Sequence, residues 1–225
     1  MLFVWYKVSF DEKWSHGSAV CETVYFFVEF VCVFPWKCVS LNNQNRGKIM
    51  DGILRKLPIG IQTFEKLRQE GYLYVDKTDF VWKMASTSTP YFLSRPRRFG
   101  KSLLLSTLEA YFKGRKELFE GLAMESLEKD WIEYPVIHLD LNAKKFDTEN
   151  DLIRLIDRQL LVYEAQYGSC SSDETIDDRL VTLIRLAAEK TGQRVVILVD
   201  EYDKPMLQAI GRDELQEEYR NTLKA

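Results

Sequence analysis

The chain contains a short motif of the kind that binds phosphate groups. It reads Gly100-Lys101-Ser102 and stands between a short apolar stretch, Pro90–Leu93, and a helical pattern of apolar residues that reaches Phe112. Strand, loop, Gly-Lys-Ser and helix is the order of a phosphate-binding loop, in which backbone N–H groups and the positive end of the helix dipole surround the phosphates. We therefore expect Lys101 to neutralise phosphate charge, the Ser102 hydroxyl to ligate Mg²⁺, and Gly100 to let the backbone approach closely.

Three arginines precede this motif and affect its interpretation. The usual phosphate-loop pattern, G-x-x-x-x-G-K-[ST], has a glycine where this chain has Arg95. A Gly-Lys-Ser or Gly-Lys-Thr triplet also arises by chance in roughly one chain in ten of this length. The guanidiniums of Arg95, Arg97 and Arg98 could hold phosphates bidentately or bind a nucleic-acid backbone, and a solvated turn is the alternative. The loop alone is therefore weak evidence for a nucleotide site.

A second motif supplies acidic side chains at the end of a strand. The run Val195–Val199 is apolar and rich in β-branched residues, and it ends in Asp200 and Glu201. In a P-loop ATPase the Asp at the strand end holds the Mg²⁺ shell, and an adjacent Glu can polarise the attacking water. The alternative is that both carboxylates merely cap the helix that follows Pro205. Because the two motifs occur in the right order at the ends of apolar stretches, together they predict nucleotide binding.

The rest of the pattern alternates between helix and strand. Such alternation predicts βαβ units and an α/β domain of three layers with a P-loop NTPase-like parallel sheet. We expect this sheet to be incomplete at the C-terminus, because the pattern stops in a helical stretch after three convincing strands. The predicted helices are Thr63–Gln69, one around Phe80–Met84, Leu104–Phe112, Thr148–Tyr167, Asp177–Lys190 and Arg212–Leu223. The three convincing strands are Tyr91–Leu93, Val136–Leu141 and Arg194–Val199, and Tyr72–Val75 is a further short strand candidate.

Four polar residues near these strands have simpler interpretations. His138 lies inside an apolar strand and is interpreted as a core histidine with satisfied hydrogen bonds. Asp140 closes that strand, where it either faces the nucleotide site or is a turn residue. Asp203 and Lys204 are interpreted as the cap and the flank of the helix that follows.

Composition excludes several classes of protein. The 225 residues are 46% hydrophobic and 29% charged, and 31 basic residues against 34 acidic ones give a net charge of −3. This composition excludes a disordered chain, and its charge does not indicate a nucleic-acid or membrane partner as a whole. The four cysteines form no CxxC pair, which argues against a disulfide scaffold or zinc site and favours the cytoplasm. The apolar stretch Val24–Val33 contains Glu29 and is too short to span a bilayer.

Residues 1–49 differ from the rest of the chain. They contain three of the four cysteines and end in a polar run just before Met50. A β-hairpin or an edge appendage is one interpretation. We favour another, in which residues 1–49 are an upstream, non-native segment and translation naturally begins at Met50. Residues 50–225 would then be the N-terminal part of a P-loop ATPase domain.

Four strings in the chain resemble the bacterial AAA-ATPase-like family. The resemblance covers about two thirds of the chain, from Leu57 to Met206, and in that family an arginine-rich loop replaces the first phosphate-loop glycine. Members are typically longer, with further ATPase strands, a sensor segment and often a C-terminal nuclease-like domain of the PD-(D/E)XK type, none of which is visible here. The strings are Leu57-Pro58-Ile59-Gly60-Ile61-Gln62-Thr63-Phe64, Tyr74-Val75-Asp76-Lys77-Thr78, Arg95-Pro96-Arg97-Arg98-Phe99-Gly100-Lys101-Ser102 and Val199-Asp200-Glu201-Tyr202-Asp203-Lys204-Pro205.

The resemblance implies a function and a set of site residues. The function is an ATP-binding P-loop ATPase module, with Mg²⁺-dependent hydrolysis expected only in the full-length protein, so that this chain is a fragment with little or no activity alone. The alternative is a non-hydrolysing module that binds a nucleotide or nucleic acid through the Arg95–Arg98 loop. No membrane partner is expected, and an oligomer is compatible with the sequence. The implied nucleotide-binding residues are Arg95, Arg97, Arg98, Phe99, Gly100, Lys101 and Ser102, the implied Mg²⁺ ligands are Ser102 and Asp200, and the implied catalytic residue is Glu201.

Overall fold

Helices and strands alternate along the chain, as its pattern predicts. The computed structural model describes residues 4–8, 55–87, 89–94, 98–142, 145–148, 150–169 and 175–224, with the backbone alone for 4–8. No helix among these residues is long and apolar enough to cross a membrane. The strands are β1 (Val4–Val8), β2 (Tyr91–Phe92), β3 (Val136–Asp140) and β4 (Val195–Asp200), and the helices are α1 (Phe64–Gln69), α2 (Thr78–Ala85), α3 (Lys101–Phe112), α4 (Ala123–Leu127), α5 (Asn150–Tyr167), α6 (Ile176–Thr191), α7 (Lys204–Gln208) and α8 (Asp213–Lys224).

The strands form one mixed sheet in the order β2-β1-β4-β3. β3 and β4 are parallel and in register from Val136 beside Val196 to Asp140 beside Asp200. β1 is antiparallel to both β2 and β4. The α/β class is therefore confirmed, but the described sheet is not wholly parallel, because a strand from the first ten residues lies between β2 and β4.

Two apolar clusters contain alternate residues of β4. Val196 and Leu198 belong to a cluster built with α1 to α4, whereas Val195 belongs to a cluster built with α5, α6 and α8. Side chains of successive strand residues point to opposite faces of a sheet, so helices pack on both faces of β4. This explains why the β4 sequence is a nearly unbroken apolar run rather than an alternating one.

Two side chains of α5 close the outer edge of β3. The Tyr163 hydroxyl accepts a hydrogen bond from the His138 N–H at 2.8 Å and donates one to the His138 carbonyl at 3.0 Å. The Gln159 amide pairs in the same way with the N–H and carbonyl of Asp140, at 2.8 and 3.1 Å. Residues four apart on a helix and two apart on a strand both advance by about 6 Å, which is why one helix face can match the strand edge. The edge is thereby protected from pairing with another strand.

The predicted strand at 72–75 is absent, and the prediction is wrong. The segment is an extended connection whose Leu73 N–H donates to the Lys56 carbonyl, with Val75 exposed and the Tyr74 ring packed on Phe64 at 5.1 Å between centroids. Its alternating pattern reflects one aromatic side chain that packs on the core rather than pairing in a sheet.

The Asp76 carboxylate supports the starts of two helices. One oxygen accepts from the Thr78 N–H at 2.9 Å, and the other accepts from the Ala123 N–H at 2.7 Å, where α4 begins. The Thr78 hydroxyl oxygen accepts from the Met124 N–H at 3.0 Å. Asp76 and Thr78 thus satisfy backbone donors that a helix start leaves unpaired.

Candidate nucleotide-binding site

The sequence-predicted phosphate loop ends at the first residue of α3. Gly100 is the N-cap residue with φ of 75°, in the left-handed region that favours glycine. A Cβ at Gly100 would meet no heavy atom within 4 Å, so the backbone conformation, and not crowding, accounts for the glycine here. Lys101 follows as a buried residue, 6% exposed, at the positive end of the helix dipole.

The structure describes only some of the other residues that the sequence predicts for this loop. Arg98 is exposed and also left-handed, with φ of 68°, and Phe99 is exposed. Ser102 is half-buried in the first turn of α3, and its role as a Mg²⁺ ligand stays a prediction. Arg95 and Arg97 lie outside the described residues, so their predicted roles remain predictions.

The acidic motif lies where β4 ends. The carboxylate of Asp200 accepts a hydrogen bond from the Glu201 N–H at 2.9 Å. Glu201 is 7% exposed and has φ of 56°, a left-handed conformation that is uncommon for a residue with a Cβ. Such strain persists where surrounding contacts fix the backbone, and it is common at functional sites.

Electrostatics connect the two motifs. Burial raises the pKa of the Glu201 carboxyl above its ordinary value, and the neighbouring charges of Asp200 and Asp203 raise it further. The Lys101 ammonium acts in the opposite direction on the same carboxyl. Lys101 therefore contributes to the electrostatic environment of the Glu201 carboxyl, although 100 positions separate the two residues in the sequence.

The charges and donor types of this site fit an ATP–Mg²⁺ pair. Lys101 and the start of α3 favour phosphate, and the adjacent Asp200 and Glu201 favour a cation. In the described ranges, no three His, Cys, Asp or Glu side chains form a group that could hold a metal ion. Mg²⁺ is usually bound by one or two carboxylates together with phosphate and water, so the predicted ligands Ser102 and Asp200 do not require such a group.

The predictions for the end of β3 and the start of α7 have different outcomes. The Asp140 carboxylate accepts from the Asn142 N–H at 2.7 Å, as a turn residue does, and its alternative role at the nucleotide site stays a prediction. Asp203 stands at the N-cap position of α7, but its side chain makes no capping hydrogen bond there. The Lys204 ammonium extends to Asn142, a contact that the sequence interpretation of Lys204 as a helix flank did not include.

Only one of the two ring nitrogens of His138 has a hydrogen-bond partner among the described residues. Its Nδ1 lies 2.9 Å from a carboxylate oxygen of Glu109, on α3, whose other contact is the Lys113 ammonium at 2.6 Å. Nε2 is buried and has no hydrogen-bond partner among the described residues. Although burial opposes ionisation, the hydrogen bonds from His138 and Lys113 outweigh it and lower the pKa of Glu109 to about 2.

Known proteins resemble most of the chain. A family model described as "Predicted AAA-ATPase" matches residues 58–225. A protein of Azotobacter chroococcum mcd 1, described as "Uncharacterized protein in vnfD 5'region", is 43% identical over 172 residues, which are 76% of this chain and 33% of that relative. The chain thus spans about a third of the relative's length. No solved structure matches the chain significantly. The family model covers well over half of the residues and confirms the resemblance seen in the four strings, and the chain therefore belongs to the AAA-ATPase-like family.

Proposed function

We propose that the chain is the ATP-binding module of an Mg²⁺-dependent P-loop ATPase. Lys101 and the N-terminus of α3 bind the phosphates, Ser102 and Asp200 hold Mg²⁺, and Glu201 orients or deprotonates the attacking water. The observation that carries the proposal is that Lys101 and Glu201 are both buried, at the start of α3 and just after the end of β4, while α3 and β4 contribute to one apolar cluster. A phosphate-binding lysine at a helix start and an acidic residue at a strand end are groups that P-loop ATPases use.

The proposal includes a three-layer architecture of the P-loop type. Its support is that alternate residues of β4 pack into different apolar clusters, each built with its own set of helices. It also places turnover in a longer protein, since the chain covers 33% of its relative's length. We place that protein in the cytoplasm.

Titration of ATP with and without Mg²⁺ tests this function. We expect Mg²⁺ to strengthen ATP binding in the parent chain and in Glu201→Gln, because Asp200 and Ser102 remain. The Asp200→Ala variant should lose this Mg²⁺ effect. Equal ATP affinity with and without Mg²⁺ in the parent would contradict the metal site.

Turnover separates the roles of the two carboxylates. Glu201→Gln keeps the shape of the side chain and removes its capacity to accept a proton. In a longer protein that contains this chain and hydrolyses ATP, hydrolysis should therefore fall at least 100-fold. Equal hydrolysis by Glu201→Gln and the parent would show that the role given to Glu201 is wrong.

A non-hydrolysing module that binds nucleic acid through the arginine loop is the second candidate. The observation that favours it is the exposure of Arg98 at the loop. Binding of a nucleic-acid backbone releases counterions, so its affinity should fall steeply as salt increases. If the chain binds no oligonucleotide at any salt concentration, this candidate is excluded.

A further inference from the structure

The backbone that presents Glu201 needs external support. Glu201 has φ of 56°, a conformation that a residue with a Cβ rarely adopts without fixed surroundings. The turn after β4 closes with the Lys204 N–H donating to the Glu201 carbonyl at 2.9 Å. One backbone hydrogen bond in a tight turn does not by itself fix the direction of the side chain at its start.

The Lys204 side chain fastens this turn to the neighbouring strand end. Its ammonium donates to the backbone carbonyl of Asn142 at 2.8 Å and to the Asn142 side-chain oxygen at 2.5 Å. Asn142 is itself fixed, since its N–H donates to the Asp140 carboxylate at 2.7 Å. Lys204 and Asn142 are 62 positions apart, so the contact joins two separate connections of the fold.

One further contact joins the ends of β3 and β4, and another joins the turn to α8. The Leu141 N–H donates to the Asp200 carbonyl at 3.0 Å and extends the β3–β4 pairing by one step beyond the strands. The Tyr202 hydroxyl donates to the Leu223 carbonyl at 3.2 Å and ties the turn to the end of α8. Lys204 therefore belongs to the turn through its N–H and joins it to the chain after β3 through its ammonium.

We propose that Lys204 is a positioning residue, which holds the Glu201 turn against Asn142 and so keeps the Glu201 side chain in its buried position just after the end of β4. The catalytic significance of this proposal rests on the proposed ATPase function, whereas the contact itself does not. Lys204 acts through the backbone of the turn, and its ammonium is occupied by the two oxygens of Asn142.

Two variants of Lys204 test the proposal with a matched control. Lys204→Met keeps the length of the side chain and removes its donors, whereas Lys204→Arg keeps both charge and donors. Lys83→Met is the control, because Lys83 is an exposed lysine on α2 whose ammonium lies 3.6 Å from Asp79. In Lys204→Met, amide hydrogen exchange should become at least 10-fold faster at positions 141, 201 and 204. In Lys204→Arg it should return towards the parent rate, and in Lys83→Met it should not change.

Turnover and binding then distinguish positioning from general support of the fold. In a protein that hydrolyses ATP, Lys204→Met should lower kcat at least 10-fold and change the affinity for ATP less than 2-fold. Unchanged amide exchange in Lys204→Met would overturn the proposal, as would faster exchange with an unchanged kcat. If a longer protein that contains this chain does not hydrolyse ATP, the proposed function fails, while the exchange result still decides whether Lys204 fixes the turn.

Discussion

The two sides of β4 differ in where their partner strands come from. On one side lies β3, which is parallel to β4, belongs to the matched region 58–225 and has its outer edge closed by α5. On the other side lies β1, which is antiparallel and precedes the matched region. The difference shows that the acidic half of the site is built within the matched region, whereas the sheet connection to β2 passes through residues 4–8.

The origin of residues 1–49 is a separate question from their pairing. The interpretation that translation naturally begins at Met50 stays a prediction. In this chain, however, β1 pairs with five residues of β4, from Val195 to Val199. Whatever its origin, β1 is expected to contribute to the stability of the sheet.

Proline substitutions in β1 should have the largest effect. Successive N–H groups of a strand point to opposite sides, so either Tyr6→Pro or Lys7→Pro must remove a donor that faces β4. We expect the more affected variant to lose about 3 kcal/mol of unfolding free energy, measured by denaturant titration. Tyr6→Phe is the control, since it leaves the backbone unchanged. Two proline variants as stable as the parent would mean that β1 does not support the sheet.

Glu109→Gln tests a connection between α3 and the parallel side that does not involve β1. The pKa of Glu109 is lowered from 4.5 to about 2 in the folded protein, so its ionised form adds stability above pH 4.5 that is lost as the pH falls towards 2. At pH 7 the variant should be less stable by about 1.5–3 kcal/mol, the usual contribution of hydrogen bonds to a charged group. The difference from the parent should shrink as the pH falls towards 2. A pH-independent difference would contradict the role of the His138 and Lys113 contacts.

Removal of the edge contacts should have the smallest effect on stability. Tyr163→Phe leaves the N–H and carbonyl of His138 without the Tyr163 hydroxyl and should lower the free energy of unfolding by about 1 kcal/mol, measured by denaturant titration.

The double variant Gln159→Leu, Tyr163→Phe exposes the backbone of both His138 and Asp140 at the β3 edge and should increase self-association in sedimentation experiments. A double variant that remains as monodisperse as the parent would show that α5 protects the edge by coverage alone.

The sequence predicted the elements whose signals are local. The helices α1, α3, α5, α6 and α8 lie within a few residues of their predicted bounds, because apolar spacing and stop residues such as Gly114 act over a few turns. The place of β1 in the sheet depends on pairing across nearly 200 positions, which no local pattern encodes. The mixed sheet was therefore beyond sequence analysis.

In the candidate site, too, local features could be predicted from the sequence and contacts between distant residues could not. The motif residues were predicted by type and spacing, and both motifs were expected at the carboxyl ends of strands, where Lys101 now contributes to the electrostatic environment of Glu201. The contact between Lys204 and Asn142 was missed because a lysine one turn after a strand is typical of many helix starts. The left-handed conformation of Glu201 was also missed, since a non-glycine residue gives no sequence signal for it.

Calorimetric titration of Mg²⁺-ATP into the parent chain and Lys101→Ala tests the central claim most directly. Removal of a charge-assisted contact to phosphate costs about 1.5–3 kcal/mol, so the affinity of Lys101→Ala should fall at least 10-fold or become unmeasurable. Lys83→Ala, which changes an exposed lysine paired with Asp79, should bind as the parent does. ATP affinity that is the same in Lys101→Ala and the parent would contradict the nucleotide site.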